Sequence, residues 1–162
     1  MNLPLLAEVV AGRAPLIEPL SVDQYHRMLE TGVLAEGRPL ELVDGFVVRK
    51  DRSPLGGDAM THGTRHVWAL TCLLDLASAL KAANLHLRQQ VPVTLSPRDE
   101  PEPDATIVRG ERSAYLSRHP GPEDVLVAVE ISDSSLAYDR RTKQRLYATA
   151  GIPAYLYWRR HR

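Results

Sequence analysis

The sequence holds one cysteine, Cys72, in 162 residues. That scarcity excludes a disulfide framework and any zinc site built from cysteines, and it fits a reducing compartment. No charge of one sign predominates: Lys plus Arg is 20 and Asp plus Glu is 20. No global basic field therefore announces a nucleic-acid partner. No apolar run approaches the roughly 20 residues that span a bilayer, so no membrane association is expected. There is no repeat and no low-complexity tract. Met1 to Ala11 is apolar in patches but lacks a positive n-region, which argues against a signal peptide and for a cytoplasmic location.

What remains is ordinary globular material. A mass of 18.0 kDa is one domain's worth, long enough to bury a core. Apolar residues make up 44% and charged residues 25%, which argues against disorder.

Residues 1–19 carry Pro4, Pro15 and Pro19 and read as an N-terminal arm. Residues 20–162 read as a single domain. Ser21-Val-Asp-Gln24 is a capping box that opens a short helix, and Gly32 stops it. Leu40 to Val48 holds two β-rich runs around Asp44-Gly45, the signature of a two-residue hairpin turn. Residues 50–61 read as a loop. Thr61 to Ala83 reads as one long helix, with Val67, Leu70, Leu73 or Leu74, Leu76 or Ala77, and Leu80 at helical spacing.

Three strands are expected next: Leu85 to Leu95, Ala105 to Val108, and the nearly continuous apolar run Val125 to Ile131. Asp139 to Ala150 reads as a helix closed by Gly151 and Pro153. Ala154 to Trp158 reads as a last strand. From the long helix onward the order is α-β-β-β-α-β. The expected class is α/β (α+β), a mixed sheet flanked by helices, with an N-terminal helix and β-hairpin.

Two acidic residues stand apart from the solvated majority. Asp104 follows Pro103 at the start of a short apolar strand, and Glu130 lies inside Val125-Leu-Val-Ala-Val-Glu-Ile-Ser132. A carboxylate in an apolar strand is costly unless it is paired or binds a cation. Glu130 should therefore sit near a sheet end. Side by side, the two would make a hard oxygen site suited to Mg²⁺. The plainer alternative is a buried salt bridge, for example between Glu130 and an Arg. Lys143 lies one turn before Leu146 and Tyr147, which define the packed side of its helix, so its ammonium can reach toward the sheet end. Taken alone, it would read as a solvated helix position. Beside two carboxylates and a metal, it could orient water or stabilise charge on a phosphate.

Together these residues resemble the PD-(D/E)XK restriction-endonuclease-like superfamily, and within it the Uma-two family. The phrases that carry the likeness are Leu40-Glu-Leu-Val-Asp-Gly45, His62-Gly63, Glu102-Pro-Asp104, Val129-Glu-Ile-Ser132, Tyr138-Asp-Arg140, Lys143 and Gly151-Ile-Pro-Ala-Tyr155. They span roughly residues 20 to 158. The superfamily's usual Lys two residues after the Glu is absent, since Ser132 stands there.

The resemblance implies a restriction-endonuclease-like core that hydrolyses DNA phosphodiester bonds with Mg²⁺, or Mn²⁺ in its place. Asp104 and Glu130 would be metal ligands, with the Ile131 carbonyl beside them. Lys143 would replace the displaced Lys, and Glu41 matches a family acidic position near the site. Family members usually continue with further strands after the Tyr-Trp strand, so the domain is expected to lack them.

Other constellations are weaker. His62 and His66 stand four apart at a helix start and could face one metal. The favoured reading is that His62 caps the helix or lines the cleft, where it could contact a phosphate. Ser53-Pro-Leu-Gly-Gly57 lacks the P-loop ending. Ser132, Ser134 and Ser135 lack a nucleophile elbow and are expected to form a turn. Cys72 is expected in the core. Basic residues cluster at Arg49, Lys50 and Arg52, on Arg140, Arg141, Lys143 and Arg145, and at Arg159, Arg160 and Arg162. Such patches suit a phosphate backbone but also suit a solvated face. The Tyr155-Leu-Tyr-Trp158 strand points to a homodimer or higher homo-oligomer. The function classes that remain are a metal-dependent endonuclease, an inactive nucleic-acid-binding or protein-interaction module on the same fold, and, more weakly, a structural remnant that only oligomerises.

Overall fold

A computed structural model describes residues 9, 11–12, 17–35, 37–50, 64–132 and 137–159. Helix α1 spans Val22–Glu30 and the hairpin strands are β1, Leu40–Val43, and β2, Phe46–Arg49. Helices α2, Thr64–Leu74, and α3, Ala77–Ala82, precede β3, Leu85–Gln89, and β4, Ala105–Arg109. A 3₁₀ turn at Arg112–Tyr115 leads toward β5, Val125–Ser132, then α4, Ala137–Thr149, and β6, Ala154–Arg159.

The local signals act as their chemistry dictates. The Gln24 amide donates to Ser21 Oγ at 3.2 Å, and the Ser21 amide donates to Gln24 Oε1 at 2.8 Å. Both halves of the capping box are thus made, satisfying amides that the helix itself leaves orphaned. Asp44 and Gly45 have φ of 51° and 76°, as the turn that matches strand twist requires. Gly45 is needed for a second reason. A Cβ there would stand 2.3 Å from Pro19 Cβ, where the preceding chain docks through the Leu20 amide on the Gly45 carbonyl at 2.9 Å.

The main sheet has the order β3-β4-β5-β6. The first two pairings are antiparallel and β5 with β6 is parallel. A parallel pair cannot be joined by a tight turn, and α4 supplies the crossover. Leu146 and Tyr147 of α4 pack with Val108, Val125, Ala128, Val93, Leu95 and Val43 in the main core. A smaller cluster joins Val22 and Tyr25 of α1 to Leu42 of β1. The two clusters meet at β1. The architecture is the mixed α+β fold that the element order suggests, and it fits the restriction-endonuclease-like core that the resemblance implies.

Four local expectations fail. The long helix is broken: the Asp75 and Leu76 amides bond back three residues, to Cys72 and Leu73. This tightened turn ends α2 before α3 begins. The leucine pattern runs through the break and hides it. The expected apolar stripe is also misplaced. Val67, Leu74 and Leu76 are exposed, whereas His66 and Ala69 are buried. Apolar residues surround this helix, so periodicity alone does not select its inner face. Cys72 is only half-buried.

The strand expected over Leu85 to Leu95 stops at Gln89. Gln90 takes φ of 51°, and Pro92 removes a ladder donor. Residues beyond it form a separate turn, with the Val93 amide on the Pro101 carbonyl and the Leu95 amide on the Asp99 carbonyl. His62, Arg52, residues 53–57, Ser134 and Ser135, and Arg160 and Arg162 fall outside the described residues.

A buried carboxylate and lysine cluster as candidate active site

Glu130 lies near the C-terminal end of β5, opposite Tyr157 of β6. Antiparallel pairing of Ala105 with Val129 brings Asp104 to the same sheet end. The Ile131 amide donates to Asp104 Oδ2 at 2.7 Å, which fixes that carboxylate against β5. Lys143, on α4, reaches Glu130 Oε1 at 3.3 Å and Glu41 Oε2 at 2.5 Å. Tyr147, one turn further, donates to Glu130 Oε1 at 2.9 Å. Glu41 projects from β1 and also accepts from the Glu102 amide at 3.2 Å.

Four of the residues singled out from sequence therefore converge from β1, the loop before β4, β5 and α4. Lys143 is not a solvated helix position, and the partner of Glu130 is this Lys rather than an Arg. The side chains of Glu41, Lys143, Asp104 and Glu130 keep only 7%, 11%, 13% and 16% of their accessible surface. The cluster is therefore largely enclosed by protein.

Burial is the largest influence on Glu130 and raises its pKa; Lys143 opposes the rise, and the Asp104 and Glu41 charges add to it. Burial would lower the Lys143 pKa, but Glu130 and Glu41 outweigh it and hold the ammonium above the ordinary lysine value. Tyr147 is held well above the ordinary tyrosine value, first by burial and then by Glu130. Lys143 is thus a fixed cation and Tyr147 a fixed donor.

Two contributors were not assigned roles from sequence. His66 on α2 is buried, with Nε2 3.5 Å from Asp104 Oδ1. Its spacing from His62 directed attention to a two-histidine metal instead. Tyr147 read as a core aromatic, and its ring is fully buried. Only the position of Glu130 shows that its hydroxyl has a partner.

The donor set suits a hard divalent cation. Glu130 takes both protein contacts named above at Oε1, and Asp104 takes the Ile131 amide at Oδ2. Asp104 Oδ1 faces His66 Nε2 at 3.5 Å, and three carboxylates gather near one ammonium. Oxygen-rich anionic sites favour Mg²⁺ or Mn²⁺.

A family model described as "Putative restriction endonuclease", Uma2, matches residues 22–162. The chain belongs to the Uma2 family. No curated protein matches it. The match covers every segment that builds the cluster, from β1 to α4. Among the described residues, no helix is long and apolar enough to cross a membrane.

Proposed function

We propose that this chain is a Mg²⁺- or Mn²⁺-dependent endonuclease that hydrolyses DNA phosphodiester bonds. Asp104 and Glu130 hold the metal, with the Ile131 carbonyl as a further donor. One observation carries this reading. Lys143 and two carboxylates from β1 and β5, 102 residues apart at the extremes, meet in one enclosed cluster beside Asp104.

A bound divalent ion would lower the pKa of water and stabilise charge on the phosphate. The protein residues do the rest. Tyr147 and the Ile131 amide orient the two ligand carboxylates before substrate arrives. Lys143 places a positive charge where negative charge develops on the phosphoryl oxygens, and it needs no reorganisation to do so. Glu41 holds that ammonium in place. His62 remains a candidate phosphate contact.

Plasmid cleavage tests the reading. Cleavage should require Mg²⁺ or Mn²⁺ and stop with chelator. Asp104→Asn and Glu130→Gln should each lower the rate by at least about 100-fold. Cleavage unaffected by both substitutions overturns the assignment.

A second reading, an inactive nucleic-acid-binding or protein-interaction module, is favoured by a different observation. Lys50, Lys143 and Arg145 pair with Glu102, Glu41 and Asp44, which leaves these cations less available to a phosphate backbone and favours the protein-interaction form of that module. DNA binding without divalent ions, and no cleavage with any, would select it. Self-association fits either reading. β6 is a sheet edge, Leu156 and Trp158 on it are exposed, and Trp158 meets exposed Trp68 edge-on at 6.2 Å. A homodimer or higher oligomer in solution, lost in Trp158→Ser, would support that face as the interface.

A further inference from the structure

A second constellation lies across β1 from the carboxylate and lysine cluster. Leu40 and Glu102 share the lining of a cleft of about 230 Å³ with Tyr25, His26, Glu100 and His119. His26 Nε2 is 2.5 Å from Glu100 Oε1, and the His119 ring stands against the His26 ring at 5.9 Å, nearly perpendicular. One ligand atom from each of His26, Glu100 and His119 lies within 4.8 Å of the others.

The three residues sit on separate segments that the backbone ties together. The Val22 amide at the start of α1 donates to the Pro97 carbonyl at 2.8 Å. The Glu100 amide donates to the Leu42 carbonyl at 2.9 Å. The Thr94 amide donates to the Pro120 carbonyl at 2.9 Å, next to His119. Glu100 is 2% exposed, and its other oxygen, Oε2, accepts from Thr94 Oγ1 at 2.7 Å. A carboxylate oriented by a hydroxyl on one oxygen and facing the His26 imidazole with the other has the outer support that metal ligands use.

We propose that His26, Glu100 and His119 form a binding site for one Zn²⁺-class transition-metal ion. Three protein ligands of mixed nitrogen and oxygen type are the usual set where a fourth position stays open. Here that position faces the cleft. A tetrahedral ion with bonds of about 2.1 Å holds its ligand atoms about 3.4 Å apart, so shifts of about an ångström close the site. The imidazoles distinguish this site from the oxygen cluster, because Mg²⁺ prefers oxygen and nitrogen ligands select later transition metals. The bound ion would join α1, the segment before β4 and the segment before β5, residues 93 positions apart at the extremes.

Cobalt supplies a spectroscopic probe. Chelator-treated full-length protein is titrated with Co²⁺, and the visible ligand-field bands are read. One equivalent is expected to give the bands of a low-coordinate nitrogen and oxygen site, displaced by one equivalent of Zn²⁺ and unmoved by excess Mg²⁺. His26→Gln and His119→Gln should each weaken Co²⁺ binding by more than about 100-fold, beyond what an outer-shell change costs. Asp104→Asn should leave the bands in place, which separates this site from the proposed nuclease metal. Melting curves in chelator check that the variants fold. Wild-type protein that gives no bands overturns the proposal without reference to any variant. So do bands that survive both histidine substitutions, or bands that vanish only in Asp104→Asn.

Discussion

Strand β1 separates two ways of handling charge. On one side Glu41 meets Lys143, and that pair shares the enclosed cluster with Glu130 and Asp104. On the other side Leu40 and the nearby Glu100 face a cleft in which His26 keeps 36% of its side-chain surface. The strand's alternation sends neighbouring side chains to opposite faces, so adjacent residues serve opposite environments. Within the first, every charge depends on the others, because water cannot replace a missing partner. Within the second, the half-exposed His26 meets solvent, and buried Glu100 keeps a further donor in Thr94. Substitutions that remove one partner should therefore cost much on the first side and little on the second.

The sharpest contrast comes from Lys143→Met. It leaves Glu41 and Glu130 enclosed without their cation, and a buried charge stripped of its partner costs about 3–5 kcal/mol. Denaturant midpoints of the variant and wild type would read this. The loss should also depend on pH. Glu130 already has a raised pKa, and removing Lys143 takes away the cation that opposes the rise. A carboxyl with a higher pKa folded than unfolded contributes stability below its unfolded value of about 4.3, and loses it as pH rises through the folded value. The deficit should therefore shrink as the solution is acidified. A deficit under about 1 kcal/mol at neutral pH would mean that the cluster is as open as the cleft, and the contrast would collapse.

The intermediate effect belongs to Tyr147→Phe. The ring stays and keeps its place among Leu146, Val125 and Ala128. Only the hydroxyl on Glu130 Oε1 goes. A buried acceptor that loses one donor costs about 1–3 kcal/mol, measured by the same unfolding transitions. If the substitution is neutral, Lys143 alone satisfies Glu130 and Tyr147 is only a packing residue.

These two sides were unequally legible in the sequence. The capping box at Ser21 and the Asp44-Gly45 turn are local rules, and both are made as written. Glu130 was visible because a carboxylate breaks an apolar run, and Lys143 because its neighbours Leu146 and Tyr147 mark a packed helix face. Pairing of Glu41 with Lys143 crosses 102 residues, and only the resemblance pointed to Glu41. The break at Asp75 was hidden because leucines continue through it. The early end of β3 was written in Pro92 but outweighed by the apolar residues around it. His26 and His119 carried no signal at all. Each sits alone among unrelated neighbours, and only the backbone ties at Pro97, Leu42 and Pro120 bring them to Glu100.

The smallest effect should come from His26→Gln in metal-free protein. His26 bonds Glu100 across a partly open cleft. Glutamine can donate to the same carboxylate, and Thr94 holds the other oxygen in either case. Glu100 is buried and needs a donor, but glutamine supplies one, so the change should cost no more than the roughly 1 kcal/mol of a typical hydrogen bond. Repeating the measurement with Zn²⁺ sharpens the comparison further. A ligand that binds only the folded chain stabilises it by about 2.7 kcal/mol at a hundred times its dissociation constant. Wild type should gain that increment and His26→Gln should not. The cleft side would then be the weaker half of the molecule without metal, and the half whose stability a metal controls. A large loss from His26→Gln in chelator would instead place His26 in the same class as Lys143, as a charge partner that water does not replace.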